Sequence, residues 1–323
     1  MSVLGRLSVV GSGRPAGPLP ADALLREARR ERTLPVVARN LGRPCPEERG
    51  ILGRQILAAA QAREFRERVE ALPLKGLHLA HRLYPSPGLR DMGDIDLLVR
   101  TSDLGRADRA LRGLGYVPDR DPVPGGGAWL NAVLYSRGEG LPVHLHWRVS
   151  NASLPHGMLR IDEEEIWREA RDGAMAPHHL LLTLCEHALK HSYDAIVHLT
   201  DLELAARGAD WSRVAESARR WGLERAVAFG LVLLRDVMGV RSEGLRHFEV
   251  RSPGPEGGVL LALARARRAR GVSALGLLSM SGGARGRLAF LKDLVFPPAG
   301  DRAGLSTRSG PARAARALGA LLS

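Results

Sequence analysis

Lysine, cysteine and aromatic residues are all scarce in this chain of 323 residues. Of its 47 basic residues only Lys75, Lys190 and Lys292 are lysine, and arginine supplies the rest. The two cysteines, Cys45 and Cys185, lie far apart without metal-type spacing, so neither a disulfide scaffold nor a zinc site is indicated. At 4% aromatic content the core must be built mainly from Leu, Val and Ala, and rings on which nucleic-acid bases stack are few. No apolar run reaches the roughly 18 residues of a membrane span. The opening stretch MSVLGRLSVVGSGRPAGPLPADALL lacks a proper h-region and cleavage site, so a cytoplasmic protein with no membrane partner is expected.

What is present fits a folded protein. The chain is 45% hydrophobic and 25% charged, which argues against wholesale disorder, and its length allows one large domain or two ordinary ones. The formal net charge of +12 is uneven: from residue 241 onward 14 Arg and Lys stand against 5 Asp and Glu. Such a surplus suits nucleic acid or anionic lipid. No motif that reads DNA or RNA accompanies it, so a solvated, arginine-rich surface is the favoured reading.

Periodicity divides the chain into five parts. Residues 1–20, rich in Gly and Pro, read as a loose N-terminus. Residues 21–72 hold N-terminal helices: one over 21–41 with Leu24, Leu25 and Ala28 on one side, and one over about 47–69 with Ile51, Ile56, Leu57 and Ala60 as its apolar stripe. Residues 73–150 alternate helix and strand, with a helix at 76–84 and a strand at 94–100. A helix capped by Thr101-Ser102-Asp103 follows, then strand signals at 116–117, 131–136 and 141–149. Beyond Pro177 the 3.6-residue period dominates, giving a helical region over 151–298, and 299–323 reads as a flexible basic tail. The expected class is α+β: a small sheet core between N-terminal helices and a C-terminal helical region.

The segment RDMGDIDLLVR, residues 90–100, carries the densest chemical signal. On a strand Asp94 and Asp96 share one face, roughly 7 Å apart, while Ile95 and Leu97 point to the other. Two carboxylates so placed repel each other or hold a cation, and carboxylate oxygens are the hard ligands that Mg²⁺ prefers. Upstream, Gly76 opens a helix whose N-terminus favours an anion, and Lys75 adds a point charge beside it.

The block LKGLHLAHRLYP–x–PGLRDMGDIDLLV resembles the uncharacterised nucleotidyltransferase family of the polymerase-β-like superfamily. The likeness extends to Leu34-Pro35, to Leu145-His146-Trp147-Arg148, to the helix bearing His187 and His191, to Asp201, Asp210-Trp211 and Phe296-Pro297. It implies a small mixed-sheet nucleotidyltransferase core, with Gly76 at the nucleotide-binding turn and Asp94 and Asp96 as metal ligands. By position it makes Lys75 and Arg90 phosphate contacts. It further implies Mg²⁺ or Mn²⁺ as cofactor, a nucleoside triphosphate as substrate, and a hydroxyl acceptor that is a small molecule, a peptide or a protein.

One departure from that pattern concerns the third acid, which the family places just before Leu-His-Trp. Here that position is His144, and alternation puts His144, His146 and Arg148 on one face. Imidazole brings no negative charge and matches Mg²⁺ poorly, so the alternative expectation is a catalytically degenerate relative that binds nucleotide or a partner. The short lead-in RVEALPLKG is a second departure, cropping the first strand. His187 and His191 have the i, i+4 spacing of a zinc pair, but no third ligand is evident and a packing role is expected. His178-His179 reads as an exposed helix start, Asp162–Glu165 as a solvated one, and Gly125-Gly126-Gly127 as a flexible turn.

Overall fold

A computed structural model describes residues 3–12, 21–122, 131–150, 159–248 and 254–268, with scattered positions between 278 and 292. Four helices come first: α1 (Val3–Leu7), α2 (Ala21–Arg30), α3 (Leu34–Asn40) and α4 (Pro46–Arg66). The sheet region follows as β1 (Leu72–Pro73), α5 (Gly76–Arg82), β2 (Ile95–Leu98), α6 (Leu104–Gly113), β3 (Val117–Pro118), β4 (Ala132–Ser136) and β5 (Val143–His146). Helices α7 (Glu163–Glu169), α8 (Pro177–Lys190), α9 (Ile196–Ala206), α10 (Trp211–Trp221), α11 (Glu224–Leu233) and α12 (Gly254–Arg265) complete the described residues. The fold is α+β, and no described helix is long and apolar enough to cross a membrane.

The five strands form one mixed sheet in the order β1-β2-β5-β4-β3. Only β2 and β5 run parallel, with Asp96 opposite His144 and Leu98 opposite His146. A parallel pair needs a crossover, and α6, β3 and β4 supply it. Strand β2 is buried on both faces, which explains the apolar run after Asp96. Ile95, Leu97 and Val99 pack with Ala58 and Phe65 of α4 and Leu104 and Leu111 of α6. Leu98, one residue out of phase, joins the larger cluster with Leu180, Leu181 and Leu184 of α8. The even-numbered face of β2, which carries Asp96, therefore looks toward the helical region.

Several local expectations are corrected. Residues 3–7 are helical rather than loose, with Leu4 and Leu7 buried against Val37 and Leu41. The single helix expected over 21–41 is two, because Arg32 takes a positive φ of 59° and Pro35, which cannot donate a helical hydrogen bond, starts a new helix. On α4, Ile51 is buried but Ile56, Leu57 and Ala60 are exposed. Its inner face instead buries Gln55, which donates to the Arg90 carbonyl at 2.6 Å. Gln61, also buried there, bonds both the N–H and the carbonyl of Leu141 at 3.0 Å. Two glutamines thus act as braces between α4 and the sheet region, which hydrophobic patterning cannot foresee. The 299–323 tail and Gly125–Gly127 lie outside the described residues.

Candidate functional site

The site begins where β1 turns into α5. Leu74 donates its N–H to the Asp96 carbonyl at 3.1 Å, extending the β1–β2 pairing so that Lys75 reaches its neighbour strand. The Lys75 ammonium lies 3.2 Å from Asp96 Oδ1. Gly76, the first residue of α5, passes so close to Met92 that an added Cβ would sit 3.0 Å from the methionine Cβ. A glycine lets the turn approach the segment that leads into Asp94.

From the other side, β5 brings two imidazoles. His146 Nε2 lies 2.8 Å from Asp96 Oδ1, and His144 Nδ1 lies 3.5 Å from the same oxygen and 4.0 Å from Asp94 Oδ2. Asp96 is 8% exposed, whereas the Asp94 side chain is 43% exposed. Alternation explains the set: His144 and His146 sit two apart on one face of β5, and Asp96 faces them across the parallel pairing.

Electrostatics set the two carboxylates apart. Burial opposes ionisation of Asp96, yet the Lys75 ammonium and the two imidazole hydrogen bonds outweigh it and hold the carboxyl well below its usual range. Burial and the neighbouring Asp96 charge raise Asp94 instead. Burial pushes His146 down to about 4 against the pull of Asp96, so the ring is neutral near pH 7 and donates Nε2–H to the carboxylate. Its Nδ1 is buried without a partner.

Asp96, His144 and His146 offer ligand atoms within 4.8 Å of one another, so they form a group able to hold a metal ion. The donor chemistry sorts them further. If His146 gave Nε2 to a cation, its proton would move to the partnerless Nδ1, which lacks the acceptor that orients metal-bound imidazoles. Asp94, whose Oδ2 lies 4.0 Å from His144 Nδ1, stands outside that group and adds a further carboxylate at its rim.

With the geometry established, the comparisons decide the family. A family model described as uncharacterised nucleotidyltransferase matches residues 18–239. The chain belongs to this family. No curated protein and no solved structure matches it. The matched span covers α2 through α11 and so includes both the sheet and the helices packed on the Asp96 face. Family membership supports nucleotidyl transfer as the general activity, a nucleoside triphosphate as the substrate class and a divalent metal as the usual helper.

Other residues singled out in the sequence have different surroundings. The Arg90 guanidinium is buried against Asp201 of α9, with Nε 2.9 Å from Oδ1 and Nη2 2.8 Å from Oδ2. Its Nη1 donates to the Asp91 carbonyl, and Tyr84 adds its hydroxyl to Asp201 Oδ1 at 2.8 Å. Arg90 therefore ties the sheet region to α9. Glu165 is buried, not solvated, taking Arg220 at 2.7 Å and His179 at 3.3 Å. His178 and His179 are buried too, His179 stacked on Trp221. Glu165, Glu169, His178 and His179 also lie close enough for a metal, but Arg220 and Arg213 already neutralise the two carboxylates. His146 is the contact to Asp96 that motif reading missed; its shared face with His144 was the available signal.

Proposed function

We propose that the protein transfers a nucleoside monophosphate from a nucleoside triphosphate to a hydroxyl acceptor, with Asp94, Asp96, His144, Lys75 and Gly76 as the working site. The observation that carries this reading is the convergence of Lys75, Asp94, Asp96 and His144 within 3.2–4.0 Å contacts. In the reaction, the acceptor oxygen bonds to the α-phosphorus as the bond to the bridging oxygen breaks, pyrophosphate departs and the acceptor proton passes to water. A divalent cation on Asp94, Asp96 and His144 would neutralise phosphate charge and acidify the acceptor hydroxyl. Lys75 contributes fixed positive charge at the turn, and Gly76 lets the backbone come close to the phosphates. Arg90 serves the architecture rather than the phosphates.

The nitrogen donor favours Mn²⁺ over Mg²⁺. Screening the four triphosphates with each cation should give more pyrophosphate release with Mn²⁺, and intact mass of the protein and co-purifying partners should reveal the acceptor. Asp94→Ala and Asp96→Ala should each abolish metal-dependent triphosphate binding; unchanged calorimetric affinity in both would sink the assignment. The presence of His144 in the third-acid position favours one rival, a relative that binds nucleotide without turnover. His144→Asp separates them: gained Mg²⁺-dependent pyrophosphate release marks a weakened enzyme, and silence of both forms marks a binding protein.

A further inference from the structure

Facing the Asp96 side of the sheet, α8 presents cationic and imidazole groups that the proposed site does not use. Ser150, beyond the end of β5, donates its hydroxyl to Glu186 Oε1 at 2.7 Å, which sets the rotation of α8 against the sheet. His187, Lys190 and His191, at the helix C-cap, follow at i, i+3 and i+4 spacing, so they share the adjoining face. Leu98 places that side of β2 in the same apolar cluster as Leu180, Leu181 and Leu184. Leu180, Leu184, His187 and His191 follow one another at i, i+4, i+7 and i+11, so the two imidazoles continue the stripe of α8 whose leucines share a cluster with Leu98.

Helix α9 adds His198, giving ring centroids 4.5, 5.4 and 5.6 Å apart for the His187–His191, His187–His198 and His191–His198 pairs. His198 is held by Asp194 at 3.1 Å. Among the described residues, the rings of His187 and His191 have no hydrogen-bond partner, and Lys190 meets Glu186 and Asp96 only through space. Composition makes the same point. A chain with 47 basic residues and three lysines sets two of those lysines here. The compact ammonium is a point-charge phosphate binder, whereas arginine suits planar bidentate pairing such as Arg90 with Asp201.

We propose that His187, Lys190 and His191, together with Lys75 opposite them, form the wall that binds the polyphosphate end of the triphosphate. The nucleotidyl-transfer reading supplies the identity of that polyanion; the anion chemistry stands on the side chains themselves. The neutral imidazoles give N–H donors, and two ammonium ions gathered on one side of Asp96 gain a counter-charge when the phosphates arrive. The arrangement would grip the leaving pyrophosphate while the α-phosphate lies over Asp94 and Asp96.

Calorimetric titration of the full chain with pyrophosphate and tripolyphosphate, in metal-free buffer, tests this directly. Wild type should bind both, more tightly than monophosphate. Lys190→Met, which keeps the aliphatic stem, should weaken pyrophosphate binding at least tenfold. Lys190→Arg should recover part of the loss, and His191→Gln should weaken binding several-fold. Absence of pyrophosphate binding by wild type, or equal affinity in wild type and a folded Lys190→Met chain, overturns the proposal. So does stoichiometric Zn²⁺ binding that needs His187 and His191 while pyrophosphate binding does not. Lys190-dependent polyphosphate binding without nucleotidyl transfer would uphold the wall and sink the enzymatic reading. Transfer with an unchanged triphosphate KM in Lys190→Met would do the reverse.

Discussion

Asp96 Oδ1 is the most contested atom of the site, with Lys75 at 3.2 Å, His146 at 2.8 Å and His144 at 3.5 Å. An ammonium so placed competes with any cation for that oxygen, while it attracts phosphate. Lys75→Met should therefore move two affinities in opposite directions: Mn²⁺, followed by electron paramagnetic resonance, binds several-fold tighter, and the triphosphate binds at least tenfold weaker. A parallel loss of both would show that Lys75 shapes the site rather than balancing its charge. At this scale much was legible in the sequence. Lys75-Gly76 and Asp94-x-Asp96 are local patterns whose chemistry follows from strand alternation and a turn. The approach of His146 was not, because it depends on β2 pairing in parallel with β5, a register set by a long crossover.

Elements meet through buried polar links. The Arg90–Asp201 pair, side chains 9% and 5% exposed, ties the approach to β2 to α9, with Tyr84 as a second donor. Removing one member of a buried pair strands the other charge, which costs about 3–5 kcal/mol. Arg90→Met should lower the urea midpoint accordingly, and adding Asp201→Leu should recover part of the loss by removing the stranded carboxylate. Equal destabilisation by the single and double variants would show that packing, not charge, carries the joint. Phosphate contact is a natural first expectation for an arginine beside an Asp-x-Asp motif, since its partner lies 111 residues away. The braces Gln55 and Gln61 were hidden for a related reason: polar residues on a helix read as its outer face until their backbone partners are seen. Element types came through well in the strands after residue 90 and the helices after 177, where period is strong. The break between α2 and α3 is signalled only by Pro35 and the strained backbone at Arg32.

At the scale of the whole molecule, imidazoles that burial keeps neutral lower its stability in acid. Burial lowers His78, His146, His178 and His191 from 6.5 to about 4. Between those values the unfolded chain binds protons that the folded chain refuses, so stability is full above about 6.5 and declines as pH falls toward 4. His146, 4% exposed, would account for about 2 kcal/mol of that loss by pH 5 if its shift is fully expressed. Raised carboxyls work the other way over part of this range, because Asp94, Glu163 and Glu186 take up protons more readily when folded. Asp96, held low by Lys75 and the imidazoles, loses its contribution only below the ordinary carboxylate range. The imidazoles should prevail above pH 5, since their ordinary value is higher and their protons are demanded first. Thermal unfolding at pH 7, 6 and 5 should show a falling midpoint, and the imidazole resonances of these four residues should stay in the neutral position across that range. A midpoint that rises toward pH 5, or imidazole signals that titrate near 6.5, would mean that water reaches these rings.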